Sequence, residues 1–187
     1  MDTFSFVMVA YSMIIGLAIT VLLSKFGQLI QNRRRIRFHW LPVYWALMLF
    51  LIQVQVLWSM WGFRSLPQWH LFSFFLILLL TVFVYLPATV VLPDSYGDDT
   101  AADLLGFFNG HRRAFFILFA FVPFVSFLIN AFLFRAPLLS YGCLLPAAAV
   151  FLLGSGAAAG SGAYQAFLPV PMTAMVLVFL TLDVVRL

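Results

Sequence analysis

Six apolar runs, each close to the length that crosses a bilayer, account for most of this 187-residue chain. A helix rising about 1.5 Å per residue needs about 20 apolar residues to cover about 30 Å of hydrocarbon. Runs of that kind lie at about 4–30, 42–63, 71–92, 114–134, 138–156 and 164–185. With 65% hydrophobic and 9% charged residues, the chain cannot build the polar shell of a water-soluble domain, where about a quarter of residues are charged. The expected fold class is therefore all-α: a polytopic transmembrane bundle of about six spans, forming a single membrane domain over 1–187.

The opening segment has no basic n-region and no small-residue cleavage site, so it reads as a retained first helix rather than a signal peptide. Pro169 and Pro171 fall in the first turns of the sixth run, where a missing N–H costs little. The stretch GSGAAAGSGA, 154–163, reads as a turn between the last two runs; alternatively it continues the fifth helix, with Gly154, Ala158 and Gly162 as a close-packing face. Within the polar loop 94–113, TAADLLGFF has a capping residue followed by an acid three places on. A short interfacial helix is expected there, with Leu104, Leu105, Phe107 and Phe108 against the membrane.

Orientation follows from Lys and Arg in short loops. One side receives Lys25, Arg33, Arg34, Arg35, Arg37, Arg112 and Arg113, the other Arg64, Arg135 and Arg186. The bias puts the N-terminus outside and the loop 94–113 in the cytoplasm. Arg33, Arg34, Arg35, Arg37, Arg112 and Arg113 are candidates for contact with headgroups or a partner, and Lys25 is expected to snorkel. Trp40 and Trp45 mark the inner interface, and Trp58, Trp61 and Trp69 the outer one.

Little in the chain points to catalysis. His39, His70 and His111 all fall outside the spans, which disfavours haem ligation between helices. Asp98, Asp99 and Asp103 lack the spacing of a calcium loop. No nucleotide-binding, nucleophile-elbow or zinc-protease motif occurs. Asp183 lies near the outer end, one turn from Arg186, so a local pair accounts for it. Cys143, the only cysteine, excludes an intrachain disulfide and reads as a small buried apolar residue. No cofactor, metal or nucleic acid is expected; the partners expected are the lipid bilayer and a second copy or another membrane protein.

The candidates for function are uncharged polar groups inside the spans. Gln53 and Gln55 fall near mid-depth of the second span. Two positions on a helix diverge by about 200°, so they cannot line one face. Gln53 shares its side with Leu49, Phe50 and Met60, or Gln55 does; the other goes with Leu51, Trp58 and Gly62. Thr81, Tyr85, Ser126 and Asn130 are partners at compatible depth. Such amides serve either as hydrogen-bonded links between helices or as the lining of a polar pathway.

The glutamine- and tryptophan-bearing second span, YLPATVVLPD ending the third and FFNGHRRAFFILFAF opening the fourth resemble a group of small, uncharacterised bacterial six-helix membrane proteins. The resemblance covers about the first two-thirds of the chain; it implies a bacterial inner-membrane location and assigns no functional residue. The readings that follow are a small transporter or channel with an uncharged polar pathway and, in the alternative, a non-catalytic membrane subunit that binds a partner protein. An enzyme acting on lipid or quinone has no positive support.

Overall fold

A computed structural model describes residues 3–66, 69–94 and 102–184. It consists of helices α1 (Thr3–Gln31), α2 (Trp40–Trp58), α3 (Leu71–Val90), α4 (Leu104–Leu128), α5 (Tyr141–Ala158), α6 (Gly162–Phe167) and α7 (Pro169–Val184). Taking α6 with α7, six helical segments among the described residues are long and apolar enough to cross a membrane. The protein is an all-α integral membrane protein. Its outward faces carry exposed Phe6, Met13, Leu17, Leu51, Phe75 and Phe151, an apolar surface suited to lipid and not to water.

Helices α1, α3, α4 and α5 pack in succession, and α2 touches α1, α3, α4 and α7. Two tyrosines tie α2 in place. Tyr11 of α1 donates to the Val56 carbonyl at 2.7 Å, and Tyr44 donates to the Pro169 carbonyl at 2.9 Å, with its oxygen 2.8 Å from that of Thr173. One half of the bundle is filled by aromatic rings. Trp45 packs edge-on against Phe116 at 5.0 Å and lies beside Phe115 and Phe119, with Phe108 behind them, and all five are fully buried.

Alternate turns bring the chain back to the same end. The turn after α1, the approach to α4 and the turn after α5 share what is here called the basic end; the 3₁₀ segment Ser59–Ser65, the start of α3 and the turn between α4 and α5 lie at the other. At the basic end, Ile36 and Arg37 pair in parallel with Ala102 and Asp103, too short a pairing to make a sheet layer. His39 and Asp103 cap α2 and α4 by accepting from the backbone N–H groups of Leu41 and Leu105, at 3.3 and 3.1 Å.

Three expectations are corrected. The interfacial helix is not separate: α4 is continuous from Leu104, capped by Asp103, and Leu104 and Phe108 are buried in the core because their face meets the aromatic cluster. Trp45 is not an interfacial marker, since its ring belongs to that cluster; Trp40, Trp58 and Trp61 remain exposed near the ends of their segments. Lys25 does not snorkel. It is 3% exposed and donates to the Thr89 carbonyl at 2.6 Å and to the Leu92 carbonyl, with an ion pair to Asp94 at 2.8 Å. A helix C-terminus offers carbonyls without partners and a partial negative charge, which a cation next to it satisfies.

The stretch 154–163 divides between both readings. Helix α5 continues to Ala158, and only 159–161 form the turn. Gln165 Nε2 donates to the carbonyls of Gly156 and Ala159 at 2.9 and 2.8 Å, and Arg112 donates to the Ala159 carbonyl as well. Gly156 permits the close approach: a Cβ there would stand 2.8 Å from Leu168 Cδ2 and 3.1 Å from the Phe116 ring. Asp98, Asp99, Thr100 and Arg186, named in the sequence reading, lie outside the described residues.

Candidate functional site

The two glutamines of α2 part company, as their spacing requires. Gln53 is fully buried toward α3, where its Nε2 donates to the Val84 carbonyl at 3.4 Å, a long bond, and its Oε1 has no partner among the described residues. Gln55 turns instead to a cavity of about 660 Å³, within the range of about 300–1,000 Å³ usual for small-molecule sites.

The cavity lies between α2, α4, α5 and α7, with Leu80 of α3 at its side. Helices α2, α4 and α7 run away from the basic end and α5 runs toward it, so position along each helix gives depth. Ser59, Asn130, Ser140 and Tyr141 are at the mouth, opposite the basic end; Ile52, Phe119, Val122 and Met172 lie deeper. Phe119 belongs to both the lining and the aromatic cluster, so the cavity is floored by the packed half of the bundle.

Local breaks in the helices create the space and leave polar groups facing it. Helix α4 ends in a wide π-helical turn, Ile129–Leu133, a distortion that recurs at functional sites. Asn130, in that turn, donates through Nδ2 to the Ser126 carbonyl at 2.9 Å, and its Oδ1 accepts no bond among the described residues. Ser140 stands at the N-cap of α5 without capping it, and its shielded Oγ has no partner among the described residues. Pro146, one turn into α5, has no N–H to offer the Gly142 carbonyl. The side chains of Gln55 and Ser126 likewise make no hydrogen bond among the described residues. A shielded polar atom such as Ser140 Oγ is costly without a partner, and a cavity that gathers it with the half-buried Gln55, Ser126 and Asn130 is suited to a polar occupant or ordered water.

Of the six uncharged candidates, Gln55, Ser126 and Asn130 come together on this cavity, and Gln53, Thr81 and Tyr85 do not line it. Thr81 is buried and donates to the Leu78 carbonyl of its own helix at 2.7 Å, as threonines in spans commonly do. Tyr85 packs half-buried against the core.

Among the six arginines, Arg33, Arg34, Arg35, Arg37 and Arg113 are exposed at the basic end, while Arg112 is half-buried and engaged with the α5–α6 turn. Sequence reasoning missed Ser59, Ser140, Tyr141, Met172 and Met175 of the lining. Ser140 alone carried a local sign, a serine directly before an apolar helix. No charged side chain lines the cavity among the described residues. No family model, curated protein or solved structure matches the chain.

Proposed function

We propose that this protein is a small transporter of uncharged molecules, and that the cavity beside Gln55 is where its substrate binds. The observation that carries the reading is the lining itself: Gln55, Ser126, Ser140 Oγ and Asn130 Oδ1 find no hydrogen-bond partner among the described residues, and they face a chamber of small-molecule size that no charged side chain among those residues lines. A buried ion without a counter-charge is strongly disfavoured, so such a chamber selects neutral molecules. The aromatic floor supports a pathway closed on one side, as alternating access requires, with passage dependent on rearrangement around Trp45 and Phe119.

In this reading the basic end is cytoplasmic, the N-terminus is outside and the cavity opens outward, with the exposed arginines near anionic headgroups. The bacterial inner membrane is proposed from the sequence resemblance. Native mass spectrometry of protein extracted from its own membrane tests the reading. A retained neutral small molecule, absent from Gln55→Leu and Asn130→Leu, is the expected result. A stoichiometric second protein, with an empty cavity in wild type, would favour the non-catalytic subunit instead.

A further inference from the structure

Polarity within the cavity is graded along the bundle axis. The polar groups Gln55, Ser59, Ser126, Asn130 and Ser140 all occupy its mouth half, and the floor is made by residues such as Ile52, Phe119 and Val122. From Phe119 to Asn130 the helix rises about 16 Å. A wholly polar solute would leave the floor unused, and a wholly apolar one would leave the mouth groups without partners.

We infer that the cavity takes a neutral, single-chain amphiphile, its hydroxyl head at Asn130 and Ser140 and its tail on the floor. This rests on the cavity being a binding site, as proposed above, and names the class of molecule it binds. The head position is narrow. Asn130 Oδ1 and Ser140 Oγ both face the bare Cα of Gly142, 3.4 and 3.8 Å from where a Cβ would stand, so the two oxygens gather on one side of the cavity, near a carbonyl that Pro146 leaves without its helical donor. An acceptor, a hydroxyl and a free carbonyl suit a donor such as an alcohol. The flexible thioethers of Met172 and Met175 line the tail region, as methionines do where a surface must adapt to chains of varied shape. Trp58 and Trp61 line the cavity while exposed at the level where headgroups lie, which puts the head position at the depth from which a membrane amphiphile would enter.

Proteoliposomes of the full chain, carrying a few mole per cent of a monoacylglycerol with a diazirine in its tail, provide the test. After irradiation, labelling is expected to concentrate on Met172 and Met175, to be competed by unlabelled monodecanoylglycerol but not by glycerol or decanoate, and to fall at least tenfold in Asn130→Leu and in Ser140→Ala. The thermal midpoints of both variants are measured alongside, and labelling of exposed Phe151 serves as the internal reference that a misfolded variant would also disturb. Uncompeted labelling spread over lipid-facing positions such as Leu139 and Phe151 would overturn the inference. If glycerol is then retained by wild type and lost in Gln55→Leu, the cavity remains a site for small polar solutes; if it is not retained, the transport reading falls as well.

Discussion

Lys25 Nζ lies 2.8 Å from Asp94 and 2.6 Å from the carbonyl of Thr89, so one buried cation closes the end of α3 and holds it to α1. The two charges contribute unequally, because Lys25 is 3% exposed and Asp94 86%. Lys25→Met removes bonds from a charged donor to carbonyls that then lack partners, and is expected to cost about 1.5–3 kcal/mol. Asp94→Asn loses only a solvated ion pair and should cost less than about 1 kcal/mol. Thermal unfolding in detergent compares the two, and equal losses would mean that the ion pair, not the carbonyl contact, holds the helices together.

Gln53→Leu and Gln55→Leu are expected to separate structure from function. Gln53 makes one 3.4 Å bond and leaves Oε1 without a partner among the described residues, so replacing it by an apolar side chain of similar size should change stability by no more than about 1 kcal/mol and leave ligand retention intact. Gln55→Leu should leave stability unchanged and abolish retention, because its amide faces the cavity. Unfolding midpoints and native mass spectra of both variants check the pair.

Gly156→Val should be among the most damaging single changes on α5. Its Cβ would stand 2.8 Å from Leu168 and 3.1 Å from the Phe116 ring, both buried, so neither can yield without disturbing the aromatic half of the bundle. Overpacking of this kind costs about 1–3 kcal/mol. Gly154→Val, where an added Cβ meets nothing within 4 Å, is the control and should be tolerated.

Arg112 and Arg113 are neighbours with different duties. Arg112 donates to the Ala159 carbonyl, where α5 turns into α6, and Arg113 is exposed. Arg112→Ala is expected to speed hydrogen exchange at 159–161 by several-fold, and Arg113→Ala to leave it unchanged.

Helix number and the opposed directions of Gln53 and Gln55 were legible in the sequence, because both depend on period and length along one helix. What was hidden depends on which helix stands beside which. Lys25 looked like a snorkelling residue because nothing local says that the end of α3 is next to it. Trp45 looked interfacial by depth, whereas its face, turned to Phe116, decides its burial. Leu104 and Phe108 fitted an amphipathic surface helix until their partner proved to be the bundle and not lipid. Polarity alone marks Gln55, Ser126 and Asn130 in the sequence, but the cavity lies at the π-helical turn and Pro146, where the helices depart from regular packing, and no periodicity marks that.

Cysteine accessibility tests whether the cavity beside Gln55 opens on the outer side of the membrane alone, as the proposed transporter requires. Cys143, the single native thiol, is buried and is replaced by alanine; Ser126→Cys then places one thiol in the cavity and Phe151→Cys one on the lipid face. A membrane-impermeant maleimide is expected to label the cavity cysteine from outside intact cells, not from the cytoplasmic side of inverted vesicles, and the lipid-facing cysteine from neither. Labelling of Ser126→Cys no faster than that of Phe151→Cys from either side would contradict the account.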